Sequence, residues 1–453
     1  MDSSTLTADY LALVRAHGAT ARDLIREPES DLPAKAYGDK LLSRPLFLGH
    51  QEQVRLTADL ELFRSALDSL PDRLFGGDLA AFCRAVGLTE VQVEAVMRSR
   101  SGSAAKPARV DLYREESGFR LLEINVSSAL GGLDNADVGR AQLGHPLLRE
   151  FADRHGLVCV DTFGEHIRDL YEDCGLVPGD DAVVVVADWP TSFQDLGPYW
   201  EAYARRLREH GVNARHCHLG ELDVREGRVW LGDLAVDVIE RKFLLEDLLE
   251  SPGARELMFP VLDAAEAGQV RIFTPLDAEP FTSKAALAML SDEQNRHLFG
   301  ADELAALDRL LPWTRVVRPG PVTLESGERV DLLEYAIRHQ RELAFKPTMA
   351  GGGGRGIVLG WEKATTPELW REQLTTGLDS PAVLQRRVRP VTEYFPDEQG
   401  ELVPYLAAWG VFLGGSGFGG IYARATTLDS DRGVVNVTGG ASAGSGLCQL
   451  PRA

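Results

Sequence analysis

Cysteine is scarce and scattered: Cys83, Cys159, Cys174, Cys217 and Cys448 are all that 453 residues contain, with no C-x-x-C pair. That pattern argues against a disulfide framework or a structural zinc site, and it makes a reducing cytoplasm the expected compartment. Long apolar runs are also missing. The longest, 182–187 (AVVVVA), falls far short of the ~20 residues a membrane-spanning helix needs. The start, MDSSTLTADY, has no basic patch ahead of an apolar stretch, so it does not read as a secretory signal. Positive charge is in deficit, with 48 Lys and Arg against 68 Asp and Glu and a net charge of −20. Such a chain repels nucleic acid and acidic membranes, so neither is expected as a partner. Any anionic ligand must be met by locally placed lysines, arginines and backbone N–H groups. No repeat with a period of about 20–50 residues is present, and the length allows roughly two or three domains at about 150 residues each.

What is there begins with helix. Leu56, Leu60, Phe63, Leu67 and Leu70 alternate spacings of four and three, which places them on one helical face that Pro71 is expected to close. From Val110 the pattern turns to strands, VDLYRE and FRLLEINV about a Ser117-Gly118 turn, which reads as a hairpin. A buried strand at 181–188 (DAVVVVAD), a helix through YWEAYARRLREHG and a strand at ARHCHL predict a β-α-β unit with a parallel pair. A hairpin near Gly232 and the strand VDVIERKF follow. Two helical segments, SKAALAMLSDEQNRHLF and ADELAALDRLL, lead into a strand-rich, glycine-dense last third: ELAFKP, GIVLGW, AVLQRRV, LAAWGVFLGG, GGIYARATT and GVVNVTGG.

The run FKPTMAGGGGRGIVLG demands a reason for Gly351, Gly352, Gly353, Gly354 and Gly356. A ligand-free hairpin tip would tolerate them. The alternative is a phosphate cradle, where missing side chains let several N–H groups approach one polyanion. Known signatures fail. Gly351-x-Gly353-x-x-Gly356 and Gly415-x-Gly417-x-x-Gly420 match a dinucleotide string, yet each precedes strand where a helix is required. No P-loop string and no protein-kinase H-R-D or D-F-G occurs. Ser442 in Gly440-Ala441-Ser442-Ala443-Gly444 is followed by no histidine, so it cannot head a hydrolase triad. What remains is a hairpin flap over nucleotide phosphates, with Lys346 on the strand leading in and Arg355 beyond as a second cation.

Chemistry must come from elsewhere. Arg109 and Asp111 lie two apart on one strand of the first hairpin, and Glu123 and Asn125 two apart on the other. Side chains two apart share a face, so all four can converge. Two carboxylates and an amide oxygen are hard ligands that suit Mg²⁺ rather than Zn²⁺, and an adjacent arginine can meet charge on a transferring phosphoryl group. His216 and His218 face one way on their strand but have no evident third ligand, so a structural role is expected.

The order Arg109-x-Asp111, Glu123-x-Asn125, Lys284 in TSKAALAMLSD, Lys346 before the glycines, Gln385 in VLQRRV and Arg424 in GIYARATT resembles the synthetase domain of glutathionylspermidine synthase. More broadly it resembles the circularly permuted ATP-grasp ligases, in which magnesium carboxylates precede the phosphate lysines. The resemblance spans roughly residues 110–440 and is carried by these short motifs. It implies an α+β, ATP-grasp fold of two lobes around ATP. Asp111, Glu123 and Asn125 would hold Mg²⁺, and Arg109 and Arg424 would stabilise phosphoryl and acyl transfer. Lys284, Lys346 and Gly351 to Gly354 would grip ATP phosphates, with Gln385 near the adenine edge. Ser127 and Ser128 are candidate acyl-substrate contacts. The amidase half of the bifunctional relative is missing, so substrate identity does not transfer.

The expected organisation is an N-terminal helical region (1–108), a metal-binding hairpin of the ATP-grasp core (109–160), a Rossmann-like substrate domain (161–275) and nucleotide-binding lobes (276–453). The expected activity is ATP-dependent amide formation between a small-molecule carboxylate and an amine. A phosphotransferase with the same grip and a non-catalytic nucleotide-binding scaffold are the rivals. No oligomeric state is implied.

Overall fold

The computed structural model describes residues 2–100, 107–349, 354–428 and 434–449. Three sheets organise it. The largest has eight strands, and its main path runs Leu46–Leu48, Ser442–Cys448, Gly417–Thr427, Leu402–Gly414, Ala108–Glu115, Gly118–Val126. Thr392–Pro396 and Val158–Cys159 attach to its flanks. The first hairpin joins this sheet through Ala108–Glu115, which pairs antiparallel with Leu402–Gly414 almost 300 residues later. The N-terminal segment is not purely helical: Leu46–Leu48 runs parallel to Ser442–Cys448 in the same sheet.

The predicted parallel layer is present as four strands in the order Arg271–Phe273, Val238–Arg241, Val184–Asp188, Ala214–His218. The helix Pro190–Glu209 makes the crossover. It buries Ala202, Tyr203 and Leu207, the one-turn spacing expected of an amphipathic face. The third sheet is antiparallel, in the order Thr314–Val316, Ala382–Arg386, Leu343–Pro347, Val358–Leu359. Trp370 and Leu374 of the helix Pro367–Asp379 belong to its core.

Helix His50–Asp68 carries Leu56, Leu60, Phe63 and Leu67 into the main core. Pro71 does not close it. The helix ends at Asp68, and Pro71 sits in the first turn of the next helix, Leu70–Phe75, where a missing N–H costs nothing. The turn of the first hairpin is Glu116-Ser117, one residue earlier than expected, with Gly118 at φ +132° opening the second strand. In the segment GVVNVTGG the described residues, 434–440, are not a strand: they hold a bend at Val434 and a turn over 437–440, which a hydrogen bond from Gly440 N to Val437 O closes. No helix among the described residues is long and apolar enough to cross a membrane.

Candidate functional site

In the hairpin register Arg109 stands opposite Asn125 and Asp111 opposite Glu123. Directly opposed residues share a face, so the four side chains converge as the spacing requires. The row continues across the sheet: Asp111 faces Gly410, and Gly410 faces Tyr422. Arg424, two residues along, lies on the same face. Gly410 leaves room for this convergence. A Cβ there would stand 2.9 Å from Arg109 Cδ and 3.3 Å from Asp111 Oδ1.

Asp111 is the hub. Arg109 donates to it twice, from Nε to Oδ1 at 2.8 Å and from Nη2 to Oδ2 at 3.1 Å. Arg424 Nη2 stands 2.7 Å from Oδ1. Arg109 Nη1 also donates to Gly131 O at 2.7 Å. Glu123 pairs instead with Lys284 at 3.1 Å. Lys284, followed by Lys346, holds the Glu123 carboxyl well below the usual range.

The small antiparallel sheet supplies the opposite wall. Lys346 Nζ donates to Gln385 Oε1 at 2.7 Å and to Leu122 O at 3.2 Å, so it bridges the two sheets. Burial lowers the Lys346 ammonium to about 8, against the opposing pull of Glu123. Gln385 is buried, and its amide points to Leu122 O and Thr314 Oγ1. The cleft between the walls is lined by Arg109, Asp111, Glu123, Asn125, Lys346, Gly354, Gln385 and Arg424. Apolar side chains, among them Ile357, Leu359, Trp361 and Val388, also line it. Gly351, Gly352 and Gly353 lie outside the described residues.

A second cavity of about 530 Å³ meets the cleft at Arg109 and Asn125, and Ser127, Thr282 and Lys284 line it. Ser128 does not line it: it is fully buried, and its hydroxyl donates to Arg241 O at 2.6 Å. His216 stacks on Phe193, and His218 Nδ1 accepts from Gly220 N, so both serve local structure.

The adjoining cavity adds Lys284, Glu246 and Glu279, while in the cleft itself four cations (Arg109, Lys346, Arg386 and Arg424) face two carboxylates. That excess of positive charge, inside an acidic protein, suits a polyanion. Among the described residues no group of three or more His, Cys, Asp or Glu gathers as a metal site. Magnesium does not require one, because one or two carboxylates plus substrate phosphates and water complete its shell. The donor set Asp111, Glu123 and Asn125 fits that pattern, with arginine and lysine neutralising the carboxylates in its place.

Tyr422, Gly410 and Trp361 are the residues that motif reading passed over. Tyr422 was reachable, since it precedes Arg424 by two in a strand and so must share its face.

No family model matches the chain, and no curated protein matches it in sequence. Among solved structures, a glutathione synthetase-like effector from Globodera pallida, in apo form, aligns with 98% of this chain and 94% of its own, with a TM-score of 0.50 and 11% identity. A putative gamma-glutamylcysteine synthetase from Methylobacillus flagellatus KT aligns with 93% of this chain and 89% of its own at a TM-score of 0.44 and 12% identity. The first likeness is one of fold: the two chains share a mixed α/β architecture.

Proposed function

We propose that this chain is an ATP- and Mg²⁺-dependent carboxylate–amine ligase of the circularly permuted ATP-grasp kind, joining an amino-acid or small-peptide carboxylate to an amine or second amino acid. In this reading residues 276–453 and the 109–160 hairpin form the nucleotide grip and residues 161–275 the substrate layer. The observation that carries it is the meeting of a cationic cleft with a second cavity at Arg109 and Asn125. A phosphoryl donor on one side and a carboxylate on the other would touch at the arginine pair.

Lys346 and Gly354 would contact the phosphates, with the base toward Ile357, Leu359 and Trp361. Lys284 would exchange Glu123 for phosphate oxygens. Bound at Asp111, Glu123 and Asn125, Mg²⁺ would offset phosphate charge as a Lewis acid. A carboxylate oxygen of the substrate attacks the terminal phosphorus and ADP leaves. The amine nitrogen then attacks the acyl carbon, phosphate leaves, and the nitrogen loses its proton. Arg109 and Arg424 sit where negative charge develops in both steps, where fixed cations act most strongly. Enclosure between the sheets would keep water from the acyl phosphate, and Ser127 would orient the acyl substrate.

Product analysis tests this reading. A ligase releases ADP and phosphate in step with amide, and hydroxylamine traps its acyl intermediate. A stable phosphorylated product would favour a phosphotransferase, and silence across a broad panel of acids and amines would favour a scaffold.

Lys346 gives a pH prediction. Phosphate binding needs its ammonium, and in the free protein that proton is lost as pH rises through about 8. Binding above this pH must take up a proton, so nucleotide affinity falls by about tenfold per unit. Titration calorimetry without metal from pH 7 to 9.5 reads this directly, and Lys346→Met is expected to bind weakly at every pH in that range.

A further inference from the structure

Asp111 presents a difficulty for the ligase reading, on which this inference rests. Arg109 and Arg424 both lean on its carboxylate. If that carboxylate turns to a metal ion, two like-charged guanidinium groups lose their shared counter-charge while they are most needed. Something other than Asp111 must then hold them.

Tyr422 is built for that task. Its ring centroid lies 5.6 Å from Arg109 Cζ and 5.2 Å from Arg424 Cζ, within the range at which an aromatic face attracts a cation. The ring is itself fixed. Gly132 lies against it with φ +93°, and a Cβ there would come within 2.5 Å of the ring carbons. Tyr37 stacks on it at 6.0 Å with an interplanar angle of 29°. Tyr37 donates onward to Asp134 Oδ1 at 3.1 Å, and Tyr199 donates to the same oxygen at 3.3 Å. The helix Leu32–Tyr37, the loop 131–134 and the crossover helix Pro190–Glu209 thus meet under one ring.

We propose that Tyr422 is a positioning residue whose face, anchored through Tyr37 to Asp134, keeps Arg109 and Arg424 aimed at the reacting atoms when Asp111 is committed elsewhere. It acts through the arginines and touches no substrate. The arginines matter in the transition state, so losing the ring lowers kcat more than it raises KM for ATP.

Two substitutions separate the ring from its hydroxyl. Tyr422→Met keeps bulk without an aromatic face, and kcat is expected to fall by about 10–100-fold, the scale of two cation–π contacts. Tyr422→Phe keeps the face and recovers all but about threefold of that loss. Nitrogen-15 spectra of the arginine Nε–H groups provide a readout independent of turnover. Arg109 and Arg424 give sharp signals in the parent and in Tyr422→Phe, and broadened ones in Tyr422→Met. Equal kcat in Met and Phe variants, or unchanged arginine signals in Tyr422→Met, overturns the proposal. If Tyr422→Met does not fold, Tyr37→Phe takes its place: a fall of about threefold in kcat with broader arginine signals supports the anchor, and no change in either refutes it. A parent protein without turnover counts against the ligase reading alone, because the spectra still decide the role of Tyr422.

Discussion

Glu123→Gln is expected to lose about a thousandfold in ATP-dependent turnover, ~4 kcal/mol of barrier, while the protein stays folded. Glutamine keeps the shape and an oxygen donor, so only the charge is tested. That charge has two proposed uses. It neutralises Lys284 at 3.1 Å before nucleotide arrives, and it would share the ion with Asp111 and Asn125 afterwards. The carboxylate is held ionised chiefly by Lys284, so it is a ready ligand at any physiological pH. Its replacement leaves one carboxylate beneath the phosphates, and magnesium saturation should shift to much higher concentration. Exposed Glu116 on the hairpin turn provides the control: Glu116→Gln should match the parent. Initial rates against magnesium concentration check both, with melting curves to confirm the fold. Parent-like turnover in Glu123→Gln would remove Glu123 from the metal assignment.

The legibility of this site follows from where its information resides. Convergence of Arg109, Asp111, Glu123 and Asn125 needs only the two-residue period of a strand and a short turn, both local properties. The parallel layer was legible for a similar reason, since DAVVVVAD is too apolar for anything but a strand buried on both faces. The strand Ser442–Cys448 was not. Its first five residues are only Ser, Ala and Gly, which have little strand preference, yet it lies between Leu46–Leu48 and Gly417–Thr427. Its smallness is a tertiary requirement: a Cβ at Gly446 would stand 2.6 Å from that of Ile421. VVNV shows the converse, apolar and branched but not a strand. Long-range pairing also hid the partners of Asp111. Arg109 is two residues away, but Arg424 arrives through a register set by Gly410, and no window of sequence contains both.

Arg44→Ala is expected to cost about 3–5 kcal/mol of stability, the scale for breaking a buried ion pair from one side. Arg44 is fully buried, and every arm of its guanidinium is used. Nε donates to Tyr394 O at 2.8 Å, Nη1 to Pro45 O at 2.9 Å and Nη2 to Glu393 Oε2 at 2.5 Å. Its Cζ also sits 4.5 Å from the Phe395 ring centroid. Alanine leaves Glu393 charged and buried with its main counter-charge gone, and two carbonyls unpaired. Arg44→Met combined with Glu393→Met should cost less than either single change, because no lone charge remains. Urea unfolding of the four proteins measures the cycle. The site would feel the loss as well. Arg44 ties the segment before Leu46–Leu48 to Thr392–Pro396, which pairs with Leu402–Gly414, the strand that carries Gly410 beneath Asp111. If Arg44→Ala unfolds within about 1 kcal/mol of the parent, the N-terminal region is not clamped to the site-bearing sheet at this point. The expected loss would instead make residues before 108 part of one cooperative body with the sheet that carries the candidate site.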